Sequence, residues 1–363
     1  MPHPIGLYVH VPFCRSKCGY CNFYSEVNDS SRAAYVETVC REIRSYAGQG
    51  ITADTLYFGG GTPSVLRAFE IAAIVSACRE SFSLSGEWTI ECNPDSADAQ
   101  LLRELKALGF NRLSFGVQSM VDHELKLLGR RHDRETAERA VKAAREAGFT
   151  NISLDLMLGI PDQTEETLME TLRRITAVRP EHISAYLLKI EADTPFDRAE
   201  IRSRCADEDV SADRYLSVSS YLKEAGYDHY EISNFALPGF ESRHNSRYWR
   251  CGEYLGFGPA AHSFFMGRRS YHPPKLSDYI RSGGENRIDD GAGGDPEERL
   301  MLGLRLREGI TPAQCGFSPQ EGEKLLKKAR PLEQAGLLTV TEDRIALTAD
   351  GFLLSNSIIA TLL

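Results

Sequence analysis

The sequence predicts an α/β fold in which six βα units surround a parallel sheet and a smaller α+β domain follows. Three observations support this prediction. Short β-rich runs alternate with longer amphipathic segments, several amphipathic segments end at a glycine, and the alternation stops after residue 232. Parallel strands joined by helical crossovers form either a barrel or an open doubly wound sheet, so the pattern alone leaves both arrangements open.

The predicted strands are short runs rich in β-branched and aromatic residues. They are Ile5–Val11, Thr55–Phe58, Trp88–Glu91, Arg112–Phe115, Ile152–Met157 and His182–Leu187. In the segments between them, apolar residues recur with the period of a helix. The predicted helices are Ser31–Ala47, Phe69–Ser81, Ala97–Leu108, Asp133–Ala147, Glu165–Val178 and Asp209–Ala225. Gly109, Gly148 and Gly226 stand where helix C-caps are expected.

After a further β-rich run, Tyr227–Ile232, the sequence predicts a loop-rich connecting segment. The Gly- and acid-rich stretch Gly283–Pro296 predicts a linker, and the helices and hairpin beyond it are typical of a winged-helix-like module. The predicted units are 1–235 for the βα units, 236–295 for the connecting segment and 296–363 for the C-terminal domain.

The composition argues against two classes of protein. Of 363 residues, 42 are Lys or Arg and 51 are Asp or Glu, which gives a net charge of −9. A chain of this charge is poorly suited to nucleic acid, and acidic residues dilute the basic ones in the C-terminal module as well. Membrane spans need about 18 consecutive apolar residues, and no window approaches that, so we expect a cytoplasmic protein.

Three of the nine cysteines, Cys14, Cys18 and Cys21, form a C-x₃-C-x₂-C pattern directly after the first strand. Thiolates on one short loop can converge on a single centre. A structural zinc site normally has four ligands, so zinc would need a fourth ligand such as His10. A four-iron cluster held by three cysteines leaves one iron open to a chelating ligand. The other six cysteines are typical of buried free thiols.

A glycine-rich run, Gly59–Ser64, follows the second strand. Glycines at a strand end let the backbone approach a ligand, and their amides can bond a carboxylate or an amine. Polar residues also stand where later strands end, which is where a barrel builds its site. These residues are Glu91, Gln118 and Asp155, while Arg130 and its neighbour Arg131 are candidates for pairing with a carboxylate.

The cysteine pattern and the glycine run together resemble the radical S-adenosylmethionine (SAM) superfamily. The strings YVHVPFC, GGGTPS, ECNP, GVQS and LDLMLGIP are similar to those of its HemN-like group over nearly the whole chain. The resemblance implies a partial (β/α)₆ barrel of the TIM type and a 4Fe-4S cluster on Cys14, Cys18 and Cys21 whose open iron binds SAM. It implies SAM contacts at Tyr8, Tyr20, Gly60, Gly61, Thr62, Glu91, Gln118, Arg130, Asp155 and Ala185.

Two differences separate this chain from the coproporphyrinogen III dehydrogenases of the HemN-like group. Phe23 stands where those enzymes have a further cysteine, and the chain reaches Cys14 without their long N-terminal extension. Both differences favour the haem-chaperone branch, which delivers haem to respiratory haemoproteins. The second interpretation is a radical SAM enzyme, either a porphyrinogen dehydrogenase or a methyltransferase, and the third is a zinc protein with a winged-helix regulatory domain.

The run His244–Trp249, HNSRYW, resembles the HNxxYW signature of that branch. A neutral imidazole is a suitable axial ligand for haem iron, and Tyr and Trp offer flat apolar faces to a porphyrin. We therefore expect haem contacts at His244, Asn245, Tyr248 and Trp249, with Arg243 and Arg247 meeting the propionates. Rival ligands in the same stretch are Cys251, His262, Tyr271 and His272.

The expected partners are haem, acceptor haemoproteins of the respiratory chain and, where SAM is cleaved, an electron donor. We expect contact with the membrane to be peripheral and expect no nucleic acid. The sequence assigns no catalytic residue and leaves the oligomeric state open, a homodimer included.

Overall fold

The computed structural model describes residues 3–363, so the first two residues of the predicted 1–235 unit lie outside the described residues. Six parallel strands lie side by side in chain order, each paired with the next. They are β1 (Ile5–Val11), β2 (Thr52–Gly60), β3 (Ser83–Cys92), β4 (Arg112–Gln118), β5 (Ile152–Leu158) and β6 (His182–Leu187). Because the order has no reversal, the sheet is a partial (β/α)₆ barrel, not a doubly wound sheet.

Helices and one 3₁₀ turn connect these strands, and two further helices follow β6. They are α1 (Arg32–Arg44), the 3₁₀ turn Pro63–Val65, α2 (Ala68–Ser81), α3 (Ala99–Leu108), α4 (Asp122–Leu127), α5 (Arg134–Glu146), α6 (Glu165–Ala177), α7 (Ala199–Arg202) and α8 (Glu208–Glu224). Asp98, Asp133 and Asp207 each accept a backbone N–H at the start of a helix. The glycine after α3, Gly109, has a φ of 106°, as its predicted C-cap role requires. The predicted strands and long helices are confirmed.

The stretch predicted to be loop-rich is instead largely ordered secondary structure. The β-rich run predicted at Tyr227–Ile232 is confirmed as β7 (Asp228–Glu231). After it come β8 (Asn234–Ala236), α9 (Arg243–Trp249), β9 (Tyr254–Phe257), β10 (His262–Phe265), β11 (Arg268–Tyr271), α10 (Leu276–Arg281) and β12 (Ile288–Ala292). The prediction of a linker over Gly283–Pro296 was therefore wrong at Ile288–Ala292, which form the strand β12. Strands of three to five residues are too short for an alternating pattern to identify.

Four of these strands extend the barrel sheet beyond β1. The strand β9 pairs parallel to β1, and β10, β11 and β12 follow it as antiparallel neighbours. We call residues 254–292 the sheet extension. On the opposite side, β8 pairs antiparallel to β6. The predicted unit boundaries at 235 and 295 stay predictions, although the sheet runs across the first of them.

The C-terminal domain consists of three helices, a two-stranded hairpin and two further helices. They are α11 (Pro296–Gly303), α12 (Pro312–Cys315), α13 (Pro319–Gln334), β13 (Leu338–Val340), β14 (Ile345–Leu347), α14 (Ala349–Leu353) and α15 (Ser355–Leu362). This order confirms the winged-helix-like prediction, and the domain ends in two helices that meet at Leu354. Within residues 3–363, no helix is both long and apolar enough to cross a bilayer.

One buried carboxylate, Glu42 on α1, ties the sheet extension to the barrel. Its oxygens accept hydrogen bonds from Tyr279 Oη at 2.7 Å and Arg287 Nη2 at 2.6 Å, and lie 2.8 Å from His272 Nε2. Burial would raise the pKa of Glu42, but the hydrogen bond and charge of His272 and the charge of Arg287 hold it below its ordinary value. The carboxylate is therefore ionised and fully partnered in the interior.

The Glu42→Gln variant removes this charge and leaves the Arg287 guanidinium without its buried partner. Losing one member of a buried ion pair costs about 3 kcal/mol or more, so we expect the thermal unfolding midpoint to fall by about 5 °C or more. The matched control is Glu37→Gln on the same helix, because Glu37 is exposed and pairs only with Arg41. Equal midpoints for the two variants would contradict the assigned role of Glu42.

Candidate cofactor and ligand site

The three clustered cysteines lie on the loop that leaves β1 at the carboxyl end of the barrel strands. All three thiols are free and partly exposed. Cys14 Sγ lies 3.4 Å from Thr62 Oγ1, and Arg130 Nη1 donates to Cys18 Sγ at 3.5 Å. Burial, and then the neighbouring Cys18 and Cys14 thiols, raise the pKa of Cys21. The loop thus carries three soft ligands at the mouth of the barrel.

A glycine inside this loop fixes its position against the rest of the protein. A Cβ at Gly19 would lie 2.4 Å from the ring of Phe196, so only glycine fits without a shift. The Gly19 carbonyl also accepts a hydrogen bond from Phe196 N at 2.9 Å, and the Tyr20 ring packs edge-on to Phe196 with centroids 6.2 Å apart. The segment after β6 therefore serves as the outer support of the cysteine loop.

The glycine-rich run after β2 packs against the start of the cysteine loop. Gly61 N donates to Val11 O and Thr62 N donates to Phe13 O, each at 2.8 Å. Gly60 N donates to Glu91 Oε2 at 3.2 Å. These amides, which the sequence offered as ligand donors, are already bonded within the protein. A ligand amino group at this loop would instead need acceptor oxygens.

A cavity of about 630 Å³ opens between the cysteine loop and the ends of the barrel strands. We call it the barrel cavity. Its volume is in the range of ligand sites. Nine of the ten residues predicted to contact SAM line it, together with Cys21. The nine are Tyr8, Tyr20, Gly60, Gly61, Thr62, Glu91, Gln118, Arg130 and Asp155.

The tenth predicted residue, Ala185, does not line the barrel cavity. It is 1% exposed, and its neighbour Tyr186 lines the cavity instead and is 41% exposed. Successive residues of a strand point to opposite faces, so a shift of one position exchanges the two. Sequence reasoning also missed several lining residues. They are Asn93, Ser114, Gly116, Met157 and the segment 186–189.

Two carboxyl groups, those of Glu91 and Asp155, line the barrel cavity. Tyr57 Oη donates to Glu91 Oε1 at 2.7 Å, and Ser114 Oγ donates to Asp155 Oδ1 at 3.2 Å. Burial, assisted by the Asp155 charge and opposed by the Tyr57 hydrogen bond, raises the pKa of Glu91 to about 7. Burial likewise raises the pKa of Asp155. The cavity thus holds a carboxyl group that changes charge near neutral pH.

The structure distinguishes the two adjacent arginines. Arg130 lines the barrel cavity, and its Nη2 donates to Asn93 Oδ1 at 2.6 Å while its Nη1 reaches Cys18. Its buried Nε has no partner among the described residues. Arg131 is half exposed and pairs with Asp95 at 3.5 Å. Only Arg130 therefore presents a guanidinium to both the cavity and the cysteine loop.

A second cavity of about 790 Å³ lies between β1, the sheet extension and α11. We call it the aromatic groove. Its Phe, Tyr and Trp lining residues are Tyr8, Phe23, Tyr24, Tyr248, Trp249, Tyr254 and Tyr271. Tyr8, Asn22 and Phe23 line both the groove and the barrel cavity. The two cavities therefore share a wall, with the 69% exposed side chain of Phe23 at their common edge.

The HNxxYW segment forms α9, which contributes to the groove in part. Tyr248 and Trp249 line the groove, whereas His244 and Asn245 do not. His244 is 1% exposed, with Nδ1 2.8 Å from Thr55 Oγ1 and Nε2 2.7 Å from Tyr248 Oη. Burial is the main reason that its pKa is lowered to about 3. As folded, His244 has no free ring nitrogen to offer an iron.

The two arginines of this segment also lie away from the aromatic groove. Arg247 pairs with Asp54, and Arg243 Nη2 lies 3.5 Å from the same carboxylate. Both line a different cavity, on the far side of α9. Neither arginine therefore lines the aromatic groove, and their contact with haem propionates stays a prediction.

The fold and the cysteine loop define a radical SAM protein. The Radical SAM superfamily profile matches residues 8–175, and the HemN C-terminal domain profile matches residues 295–354. The solved structure of coproporphyrinogen III oxidase (HemN) from Escherichia coli superposes with a TM-score of 0.83 at 27% identity. That match covers 99% of this chain and 90% of the oxidase chain.

Curated relatives place the chain more narrowly. The heme chaperone HemW of Synechocystis is 38% identical over 331 residues, which covers 86% of this chain and 80% of that protein. The heme chaperone HemW of Lactococcus lactis is 33% identical over 370 residues, which covers 98% and 96%. The chain belongs to the HemW family of radical SAM proteins.

Membership of this superfamily implies a 4Fe-4S cluster and SAM, and the residues present fit both groups. Three thiols on one loop are the soft donors that iron–sulfur clusters use. The described residues contain no three His, Cys, Asp or Glu side chains close enough to hold a single ion. A cluster binds each cysteine on a separate iron and does not need such closeness. The unpartnered Nε of Arg130 suits an anionic ligand group.

The Gly19→Ala variant tests whether the Phe196 contact holds the cysteine loop in place. The added Cβ would lie 2.4 Å from the ring, so the loop must move and cluster assembly should suffer. We expect iron per chain after anaerobic reconstitution to fall by half or more, and the double variant Gly19→Ala/Phe196→Ala to recover it. Lys17→Ala, an exposed change in the same loop, is the control. Full loading of Gly19→Ala would show that the contact is dispensable.

Proposed function

We propose that this protein is a haem chaperone that binds a 4Fe-4S cluster, SAM and haem, and delivers haem to respiratory haemoproteins. The observation that carries the proposal is the aromatic groove that shares Tyr8, Asn22 and Phe23 with the barrel cavity. The HemW relatives are named heme chaperones, and haem is therefore the ligand that we propose for this groove. Tyr and Trp side chains are suited to the flat apolar faces of a porphyrin.

The proposed cluster ligands are Cys14, Cys18 and Cys21, and SAM occupies the barrel cavity beside them. Arg130 binds the SAM carboxylate, because among residues 3–363 it is the one guanidinium that lines this cavity. Glu91 lies beside the amino group of SAM, where an ionised carboxyl would be favoured. The Tyr20 ring, supported edge-on by Phe196, packs against the adenine. A cluster held by these cysteines would supply reducing chemistry beside SAM, and cleavage of SAM would need an external electron donor.

Haem lies in the aromatic groove, with Tyr248 and Trp249 from α9 forming part of its wall. The buried indole N–H of Trp249 has no acceptor among the described residues, so it is available to a ligand carboxylate. The guanidinium of Arg305 covers the indole ring at 4.5 Å and fixes its position. The C-terminal domain also contributes Glu298 and Leu302 to the groove.

The protein acts in the cytoplasm and meets its acceptors by peripheral contact with the membrane. All nine cysteines are free, as the reducing conditions of that compartment require. Delivery needs haem to leave the protein, and a groove open to solvent permits this. The acceptor docks over the outer edge of the groove, near the exposed Phe23.

Haem titration under anaerobic conditions tests this function. We expect the reconstituted protein to bind one haem per chain and to leave coproporphyrinogen III unchanged. The Phe23→Ala variant should bind haem about three- to tenfold more weakly, since one aromatic contact contributes about 0.5–1.5 kcal/mol. Phe69→Ala is the matched control, because Phe69 is 65% exposed and lies on α2, away from both cavities.

Two outcomes would contradict the proposal. Efficient conversion of coproporphyrinogen III to protoporphyrinogen IX would identify an enzyme of the kind named in the Escherichia coli HemN structure. Equal haem affinities for wild type, Phe23→Ala and Phe69→Ala would remove the shared edge of the two cavities as the haem site.

Proton linkage at Glu91 predicts how SAM affinity depends on pH. The pKa of Glu91 is raised to about 7, so this group is half protonated at pH 7 in the free protein. The ammonium group of SAM favours the ionised form of Glu91, so SAM binding releases a proton below pH 7. The affinity for SAM therefore falls as the pH falls. Between pH 8 and pH 6 we expect the affinity for SAM to fall about tenfold. Below the Glu91 pKa, binding must release one proton, and pH 6 lies about one unit below that pKa.

The Glu91→Gln variant should lose this dependence, and the ratio of wild-type to variant affinity removes the titration of SAM itself. Isothermal titration with SAM at pH 6, 7 and 8 measures the ratio. A constant ratio across this range would place the SAM amino group elsewhere.

A further inference from the structure

Four imidazoles lie in or beside the aromatic groove, and they differ in whether a ring nitrogen is free. They are His10, His244, His262 and His272. An axial ligand of haem iron needs an unprotonated ring nitrogen with nothing else bonded to it and a path to the groove.

Three of the four imidazoles have both ring nitrogens engaged. His10 bonds Tyr8 Oη and Tyr24 O, each at 3.0 Å. His272 is fully buried, with Nδ1 2.9 Å from Asn286 Oδ1 and Nε2 2.8 Å from the Glu42 carboxylate. His244, described above, is bonded at both nitrogens and lies behind Tyr248. Using any of them as a ligand would break a buried hydrogen bond.

His262 is the exception. It begins β10, lines the aromatic groove and is exposed, and neither ring nitrogen makes a hydrogen bond within residues 3–363. Its ring stacks on Tyr271, its cross-strand partner on β11, with centroids 5.4 Å apart and an interplanar angle of 24°. The stacking fixes the orientation of a side chain that would otherwise rotate freely.

The charge state of His262 also suits a ligand. Partial desolvation of the ring against the groove wall is the largest cause of its lowered pKa, and the charge of Arg269 acts in the same direction against that of Asp290. The imidazole is therefore neutral at physiological pH, as coordination requires. The rival thiol, Cys251, is buried and its pKa is raised by burial, so it is protonated and a poor metal ligand.

We propose that His262 is the axial ligand of haem iron, with Tyr271 positioning its ring. This inference rests on the proposed haem-binding function. The HNxxYW helix then contributes Tyr248 and Trp249 to the wall of the groove, while His244 acts from the interior by holding Tyr248 in place. An exposed ligand on a short strand of the sheet extension also leaves one edge of the haem open to an acceptor.

The decisive experiment is an anaerobic haem titration of wild type, His262→Ala and His123→Ala, monitored by absorption and electron paramagnetic resonance. His123 is an exposed histidine on α4 and controls for loss of an imidazole. We expect wild type and His123→Ala to show an imidazole-ligated spectrum. His262→Ala should lose that spectrum and bind haem at least tenfold more weakly, and added free imidazole should restore it. The iron content of each variant shows that the protein is folded.

The outcomes separate this inference from the proposed function. An unchanged spectrum in His262→Ala would overturn the assignment, and so would loss of the spectrum in His244→Ala alone. A thiolate spectrum that disappears in Cys251→Ser would overturn it in favour of the thiol. If the wild-type protein binds no haem, the proposed function itself fails.

Discussion

The aromatic groove depends on one buried interaction, the contact of the Glu42 carboxylate with the sheet extension. The groove has β1 on one side and β10 and β11 on the other, and Glu42 holds those strands against α1 through His272, Tyr279 and Arg287. Burying a carboxylate is costly, and hydrophobic residues could pack there as stably. A charged centre with three fixed partners, however, accepts only one position of the extension. The interaction therefore gives the groove a defined shape.

The strand β1 connects the groove to the barrel cavity. It is central in the sheet, between β2 and β9, and its residues Tyr8 and His10 are on the same face because strand side chains alternate. Tyr8 lines both cavities and its hydroxyl lies 3.0 Å from His10 Nδ1. A ligand that moves this ring in one cavity must change the wall of the other. Close packing makes such a shared wall a route for coupling between two sites.

Much of the barrel was predictable from the sequence because its strands and helices carry their own signals, such as Asp98 at a helix start and Gly109 at a helix end. The sheet extension was not, because its four- and five-residue strands form only by pairing with one another and with β1. The role of His244 was also beyond the sequence. Its hydrogen bond to Thr55 joins residues 189 positions apart, and the sequence motif contains no information about that contact.

The exposed side chain of Phe23 lies at the edge that the aromatic groove shares with the barrel cavity. The dehydrogenases that the sequence resembles have a cysteine at the position of Phe23. The structure adds that the Phe23 side chain is 69% exposed and lies between two cavities. A large apolar side chain held in water is unfavourable until something covers it. A porphyrin in the groove would cover the Phe23 ring, and the ring would not react with it. A cysteine at the same position would instead place a reactive thiol beside the cluster. An apolar contact surface at this edge favours holding and releasing a flat ligand over transforming it.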